Sequence, residues 1–225
     1  MSELRSPSAD GRGLEPAAGS IARRVARQRS SGEPIAIRDR PQDSRMLQVL
    51  GVTYMVLKTE QGGDLYLTTA GSQFLQQLLP ENWYESDWFR AHRERLVGTA
   101  AVYRSTTKPH AGASLEIVVK FNRVGQDIPP AGDEFEEALY WEFNGPFEEF
   151  SLLQELRHAG PADVAIETQV PLAIYIPPER VQPWRSGRSE WRMARKVEQH
   201  PGVALDILRR YVMVYQWLPG IDAWE

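Results

Sequence analysis

The chain of 225 residues contains no cysteine. That excludes a disulfide scaffold, a thiolate zinc site and a cysteine nucleophile. It also lacks an apolar run long enough to span a bilayer, and its first residues lack the apolar core of a signal peptide. Histidine is scarce. His92, His110, His158 and His200 show neither H-x-x-x-H nor H-E-x-x-H spacing, so no metal site is expected. There is no G-x-S-x-G and no P-loop. Together these absences are compatible with a cytoplasmic address and no membrane partner. Basic residues are missing from one long stretch: between Val124 and Leu156 there are nine acids and no Lys, Arg or His. Glu134, Glu136, Glu137 and Glu142 in that stretch would hold a divalent cation only if folded inward, and a solvated acidic surface is the plainer reading.

What is present is an ordinary globular composition, 42% hydrophobic and 25% charged, long enough for one domain with a tail or two small domains. The net charge of −4 is uneven. Residues 1–45 hold nine Arg against six acids, which leaves −7 for residues 46–225. An acidic body does not favour nucleic acid as the main partner. Residues 1–45 are rich in Ser, Gly, Pro, Ala and Arg and poor in periodicity, and read as a disordered tail. Within them, Ile21 to Arg29 could form one basic amphipathic helix on an acidic surface.

Residues 46–95 read as an extension made of a hairpin and helices. Thr53–Lys58 and Asp64–Thr68 are β-rich runs, and Gln61-Gly62-Gly63 supplies the turn. Ser72 to Leu79 has a short helical period, and Trp83 to Arg95 reads as a second helical or irregular stretch. Trp83, Tyr84, Trp88 and Phe89 make either a ligand platform or, more commonly, packing between helix and sheet.

Residues 96–225 read as a second region. Ala101-Val102-Tyr103-Arg104 and Leu115-Glu116-Ile117-Val118-Val119-Lys120 are paired strands, the second closed by a lysine. Glu134 to Trp141 has the pattern of a short helix. Phe147 to Arg157 is an amphipathic helix with Glu148 and Glu149 near its start, stopped by Gly160-Pro161. Val164–Ile166 and Leu172–Ile176 are further strands. Ser189 caps a helix to about Glu198, and Pro201 at a first helical position starts another toward Arg210. Arg185, Arg188, Arg192, Arg195 and Lys196 make this insertion basic. It either pairs with the acidic stretch around Asp133 to Glu149 or presents a solvated face. Tyr211–Tyr215 is the last strand, with Gln216–Gly220 as an extended exit.

This order of hairpin, strand ending in Val118-Val119-Lys120, helix with an early Glu, two strands and an extended linker resembles the N-terminal lobe of a protein kinase. The resemblance covers about Leu96 to Glu225. It implies an α+β fold with an antiparallel sheet of about five strands and one packed helix, to which residues 46–95 add an extension packing on the sheet. It implies that Lys120 holds nucleotide phosphates and that Glu149 pairs with Lys120. Tyr215 would gate the adenine pocket, the backbone of Gln216 and Leu218 would face the adenine edge, and Gly98 and Val102 would belong to the phosphate-covering loop and the strand after it.

The sequence departs from that family in four ways. The Lys120 to Glu149 interval is lengthened by the acidic, Pro-containing segment, and the insertion from Arg180 to Arg210 precedes the last strand, where the family has a tight turn. The glycine pattern is incomplete and the catalytic motifs are missing. Of the pattern G-x-G-x-x-G-x-V, only Gly98 precedes Val102, and the chain contains neither H-R-D nor D-F-G. The expectation is therefore a truncated or split kinase-like chain that binds ATP weakly, takes Mg²⁺ only if a second lobe is supplied, and does not transfer phosphate alone. Its partner would be that second lobe or another protein. The alternatives are a non-catalytic, pseudokinase-like interaction module and an unrelated α+β domain in which Lys120 and Glu149 lie apart.

Overall fold

Two residues at positive φ, Leu50 (48°) and Gly51 (79°), reverse the chain between β1 (Arg45–Val49) and β2 (Val52–Lys58). Left-handed backbone at both central positions gives a two-residue turn whose twist matches that of the strands it joins. A second turn over Gly62 leads into β3 (Asp64–Thr68). These features belong to a computed structural model that describes residues 41, 43–98, 100–128, 142–159 and 168–219, all within a compact unit spanning Asp39–Glu225. Residues 1–40 of the expected tail, the Ile21–Arg29 helix, the Glu134–Trp141 helix and the Val164–Ile166 strand lie outside the described residues, as do Glu134, Glu136 and Glu137; Arg45, the last residue of that expected tail, opens β1.

After β3 come the short helices α1 (Thr69–Ser72) and α2 (Leu75–Leu78), a 3₁₀ turn, α3 (Ser86–His92) and the three-residue strand β4 (Arg93–Arg95). Next are β5 (Ala101–Thr106), β6 (Glu116–Phe121), α4 (Pro146–His158), β7 (Pro171–Ile176), α5 (Pro183–Ser186), α6 (Glu190–Gln199) and β8 (Val212–Gln216). The fold is α+β: among the described residues there are six helices and one open antiparallel sheet of eight strands, ordered β1-β2-β3-β7-β8-β6-β5-β4. The sheet thus has eight strands rather than about five. The difference is physical. The strands of residues 46–95 do not pack on the sheet but extend it: β3 pairs with β7, Leu65 facing Tyr175, and β4 pairs with β5. The expected helix from Pro201 to Arg210 is not formed, and residues 201–210 are turns and irregular backbone. No described helix is long and apolar enough to cross a membrane.

Alternation along the strands sorts the core onto two faces. On one, Val118, Ile174, Met213 and Tyr215 are buried with Phe147 and Phe150 of α4 and with Tyr54 and Val56 of β2. The other takes α1 to α3. Trp83 is fully buried there, with its ring edge-on to Tyr175 and its indole N–H donating to the Leu78 carbonyl at 2.8 Å. Phe89 meets Tyr103 and Phe121. The aromatic cluster of residues 83–89 is therefore packing between helices and sheet, with three-dimensional contacts to β5, β6 and β7. Gly71 lets α1 lie directly on β7, since a Cβ there would come 1.9 Å from the Leu172 carbonyl oxygen.

Candidate functional site

Lys120 is the penultimate residue of β6 and sits opposite Val102 on β5 and opposite Met213 on β8. Tyr215, two residues along from Met213, lies opposite Val118. The period of two puts Val102, Val118, Lys120, Met213 and Tyr215 on one face of three adjacent strands. α4 covers that face. Pro146 occupies its first turn, where the missing N–H costs nothing, and Glu148 and Glu149 sit there favourably against the helix dipole. The Gly145 N–H donates to Glu148 Oε2 at 2.9 Å, closing the helix start.

Consecutive helical residues point about 100° apart, so Glu148 and Glu149 serve different partners. Glu149 turns to the sheet. Lys120 Nζ donates to both its oxygens, at 2.6 Å to Oε1 and 2.8 Å to Oε2. The Tyr215 hydroxyl donates to the same Oε1 at 2.6 Å. The ammonium is about a quarter exposed and the carboxylate about a fifth, so the pair is partly desolvated rather than buried. Burial pushes the Tyr215 phenol well above its ordinary value, and the charge of Glu149 and its hydrogen bond push the same way, which keeps Tyr215 a neutral donor.

Glu148 turns the other way, to α6. Lys196 Nζ lies 3.1 Å from Glu148 Oε2 and 3.3 Å from Glu142 Oε2, and is itself buried. Arg195 adds a contact to Glu142 at 3.0 Å, His200 one to Glu148 at 3.3 Å, and Arg192 one to Asp127 at 2.7 Å. The basic insertion thus pairs with acids of the stretch from 127 to 148. Asp133 lies outside the described residues.

Asn122, just past Lys120, was not anticipated as a positioning residue. Its side-chain amide donates to the Asn144 carbonyl at 3.1 Å, and its oxygen accepts from the Val124 N–H at 2.8 Å. It ties the exit of β6 to the segment that launches α4 and so helps set the distance between Lys120 and Glu149. The available signal was an Asn directly after a strand, a position where its side chain can bond the backbone two residues on.

No protein-family model, no curated protein and no solved structure matches this chain. The site is therefore described by its own geometry.

A cavity of about 200 Å³ opens beside the pair, lined by Lys120, Glu149, Asn122, Arg123, Glu142 and neighbouring backbone. The structure brings Lys120, Glu149 and Tyr215 into contact and places Val102 across from Lys120. It does not bring Tyr215, Gln216, Leu218, Gly98 or Val102 to the wall of this cavity. Tyr215 is 1% exposed and directed to Glu149, so it acts as a brace for the carboxylate. The Gln216 N–H is already given to the Val170 carbonyl at 3.0 Å and is not available to a ligand. Leu218 is 38% exposed beyond the end of β8. Gly98 is in the connection from β4 to β5, where a Cβ would meet only the Val102 side chain at 3.4 Å. No steric demand for glycine operates at that position.

Chemically, the arrangement is an ammonium held at a fixed point on a sheet face with two of its three N–H groups on one carboxylate. The third N–H remains for an oxygen anion arriving through the cavity.

Proposed function

We propose that the Asp39–Glu225 unit is a protein-kinase-like nucleotide-binding lobe that takes the phosphates of ATP on Lys120 and transfers none by itself. The observation that carries this reading is the two-point contact of Lys120 with Glu149, at 2.6 and 2.8 Å, made between the end of a strand and the first turn of a helix. It is supported by the chain order from β4 to β8, with α4 between β6 and β7, and by the shared face of Val102, Lys120 and Tyr215.

Each residue has a definite task. Lys120 supplies a compact positive charge to phosphate oxygens. Glu149 fixes that charge in place. Tyr215 holds Glu149. Arg123, at the cavity wall, is a second cation within reach of phosphate. The cavity is smaller than the roughly 300–1,000 Å³ that encloses a whole ligand, so it takes phosphates and leaves the base against Val102 and the exit of β8. With a single glycine in the β4–β5 connection, backbone cradling is slight and binding is weak. Mg²⁺, when a second lobe supplies its ligands, would neutralise charge on the phosphates; this chain has no H-R-D or D-F-G to do so. A cytoplasmic address suits an ATP ligand, and the natural partner is a second lobe or another protein.

One observation favours the runner-up. The Tyr215 bond satisfies Glu149 without any ligand, as a purely structural pair would require, and the unit would then be a non-catalytic interaction module. Calorimetric titration of ATP, with and without Mg²⁺, separates the two. The expected result is weak saturable binding that Lys120→Met lowers at least about tenfold, the worth of one charge-assisted hydrogen bond. No heat of binding at millimolar ATP, or tight binding indifferent to Lys120→Met, overturns the proposal.

A further inference from the structure

A second and larger cavity, of about 560 Å³, lies at the same end of the β5–β6 pair but on the opposite face of the sheet. Six arginines line it: Arg93, Arg95, Arg123, Arg185, Arg188 and Arg210. No aspartate or glutamate is among its described lining residues. This is a concentration of one sign in a body whose residues 46–225 sum to −7. By strand alternation Tyr103 and Phe121, also on its wall, face away from the side that carries Val102 and Lys120. The cleft is therefore distinct from the Lys120 site, although the two share Ala100, Asn122 and Arg123 at their rim.

The built part of the site is Arg188. It is 92% buried, at 8% exposure, and its guanidinium donates to the carbonyls of Ile207 and Arg209. Its Nε has no hydrogen-bond partner. Among the described residues, Arg93, Arg95, Arg185, Arg188 and Arg210 make no ion pair with a carboxylate. Burial lowers the Arg188 pKa and the Arg210 charge adds to that, while Tyr211 and Asp206 push the other way without outweighing them. A buried, charged group facing like charges gains from an anion that offsets its lost hydration. Among the described residues no carboxylate lines the cleft.

The aromatic walls narrow the class of ligand. Tyr103 already carries the guanidinium of Arg93 at 4.8 Å and that of Arg95 at 5.2 Å, and Phe121 carries Arg210 at 5.8 Å. Those ring faces hold the cations in place and leave no platform on which a base could stack. Guanidinium forks match phosphate oxygens in pairs. We propose that this cleft binds a compact small molecule carrying two or more phosphate groups. The inference stands apart from the proposed ATP reading, because it uses neither Lys120 nor Glu149.

The test is calorimetry on the full chain with tripolyphosphate, pyrophosphate, orthophosphate and sulfate at matched ionic strength. Affinity is expected to rise with the number of phosphates. Arg185 and Arg210 are exposed at the rim, so the double variant Arg185→Glu/Arg210→Glu should keep the melting temperature of the free protein. It should weaken tripolyphosphate at least about tenfold. Made in the Lys120→Met background, the same two reversals should cost the same factor, which separates this cleft from the nucleotide site. Tripolyphosphate binding no tighter than sulfate overturns the proposal, as does indifference to the charge reversals or loss of their effect in the Lys120→Met background. A single-stranded oligonucleotide that binds more tightly at equal phosphate concentration overturns the small-molecule assignment.

Discussion

Replacing Tyr215 by phenylalanine removes one oxygen and little else, since the ring is 1% exposed and its packing on Phe150 is kept. That oxygen donates to Glu149 Oε1 at 2.6 Å. A hydrogen bond to a charged acceptor contributes about 1.5–3 kcal/mol. At 2–4 °C per kcal/mol for a domain of this size, Tm should fall by roughly 3–12 °C. Lys120→Met removes the other partner of the same carboxylate. The pair is partly exposed, so its loss should cost about 1–2 kcal/mol, between the values for surface and buried pairs. The two effects should not add. With both partners gone, Glu149 can protonate or swing to water, so the double variant should lose less than the sum, by at least about 0.5 kcal/mol. Urea denaturation of the wild type, both single variants and the double variant measures this, with equal m-values as the check on two-state behaviour. Additivity within about 0.3 kcal/mol would refute the claim that Glu149 is the shared anchor of Lys120 and Tyr215.

Lys196→Met should destabilise by about 2–3 kcal/mol in the same assay, below the roughly 3–5 kcal/mol of a fully stranded charge, because it removes the buried cation shared by Glu142 and Glu148 but leaves them Arg195, His200 and the Gly145 N–H. Gly71→Ala should cost about 3 kcal/mol or more, or prevent folding, since the added methyl would overlap the Leu172 carbonyl. For Glu148, burial raises the pKa, but the Gly145 N–H and Lys196 outweigh it and the net shift is downward from 4.5. Its stabilisation is therefore complete above pH 4.5 and lost as pH falls through the lower folded value, so acid melting curves should be shallower for Glu148→Gln. Tyr175 has the opposite sign. Burial pushes it up to about 12 from 10.0, so the folded state resists ionisation; stability should decline as pH rises above 10, with absorbance of ionised tyrosine appearing together with loss of structure.

The strands that the sequence makes legible are those with β-branched alternation and a glycine-bearing turn, such as β2, β3 and β6. β1 escaped because its turn uses Leu50 at positive φ, a residue that gives no turn signal. β4 escaped because Arg93-Glu94-Arg95 is exposed throughout and carries no apolar period; charge is how an edge strand avoids pairing with strangers. The Pro201 helix was anticipated from a helix-starting residue, but two turns and the bonds around Asp206 take that backbone instead. Of the candidate site, Lys120, Glu149 and Tyr215 converge as a strand end, a helix start and a neighbouring strand allow. The direction of the Tyr215 hydroxyl and the capture of the Gln216 N–H by Val170 depend on tertiary packing that no local pattern encodes. The arginine cleft was hidden for the same reason, its members being spread from residue 93 to residue 210.

β8 stands between β6 and β7, and nothing else joins the two halves of the sheet into one ladder. On the ribosome this makes β8 a late keystone. β3 is made early but finds its partner β7 only 112 residues later, counting from Asp64 to Ile176. At about 5–20 residues per second, the open edge of β3 waits roughly 6–22 s for that partner. Even then β1-β2-β3-β7 and β4-β5-β6 are separate sheets until residues 212–216 emerge and slide between them. Nascent chains stalled before residue 212 should therefore present two unsealed strand edges to chaperones. Chains stalled on an added C-terminal tail long enough to carry β8 out of the exit tunnel should not, which ties closure of the sheet to the emergence of β8.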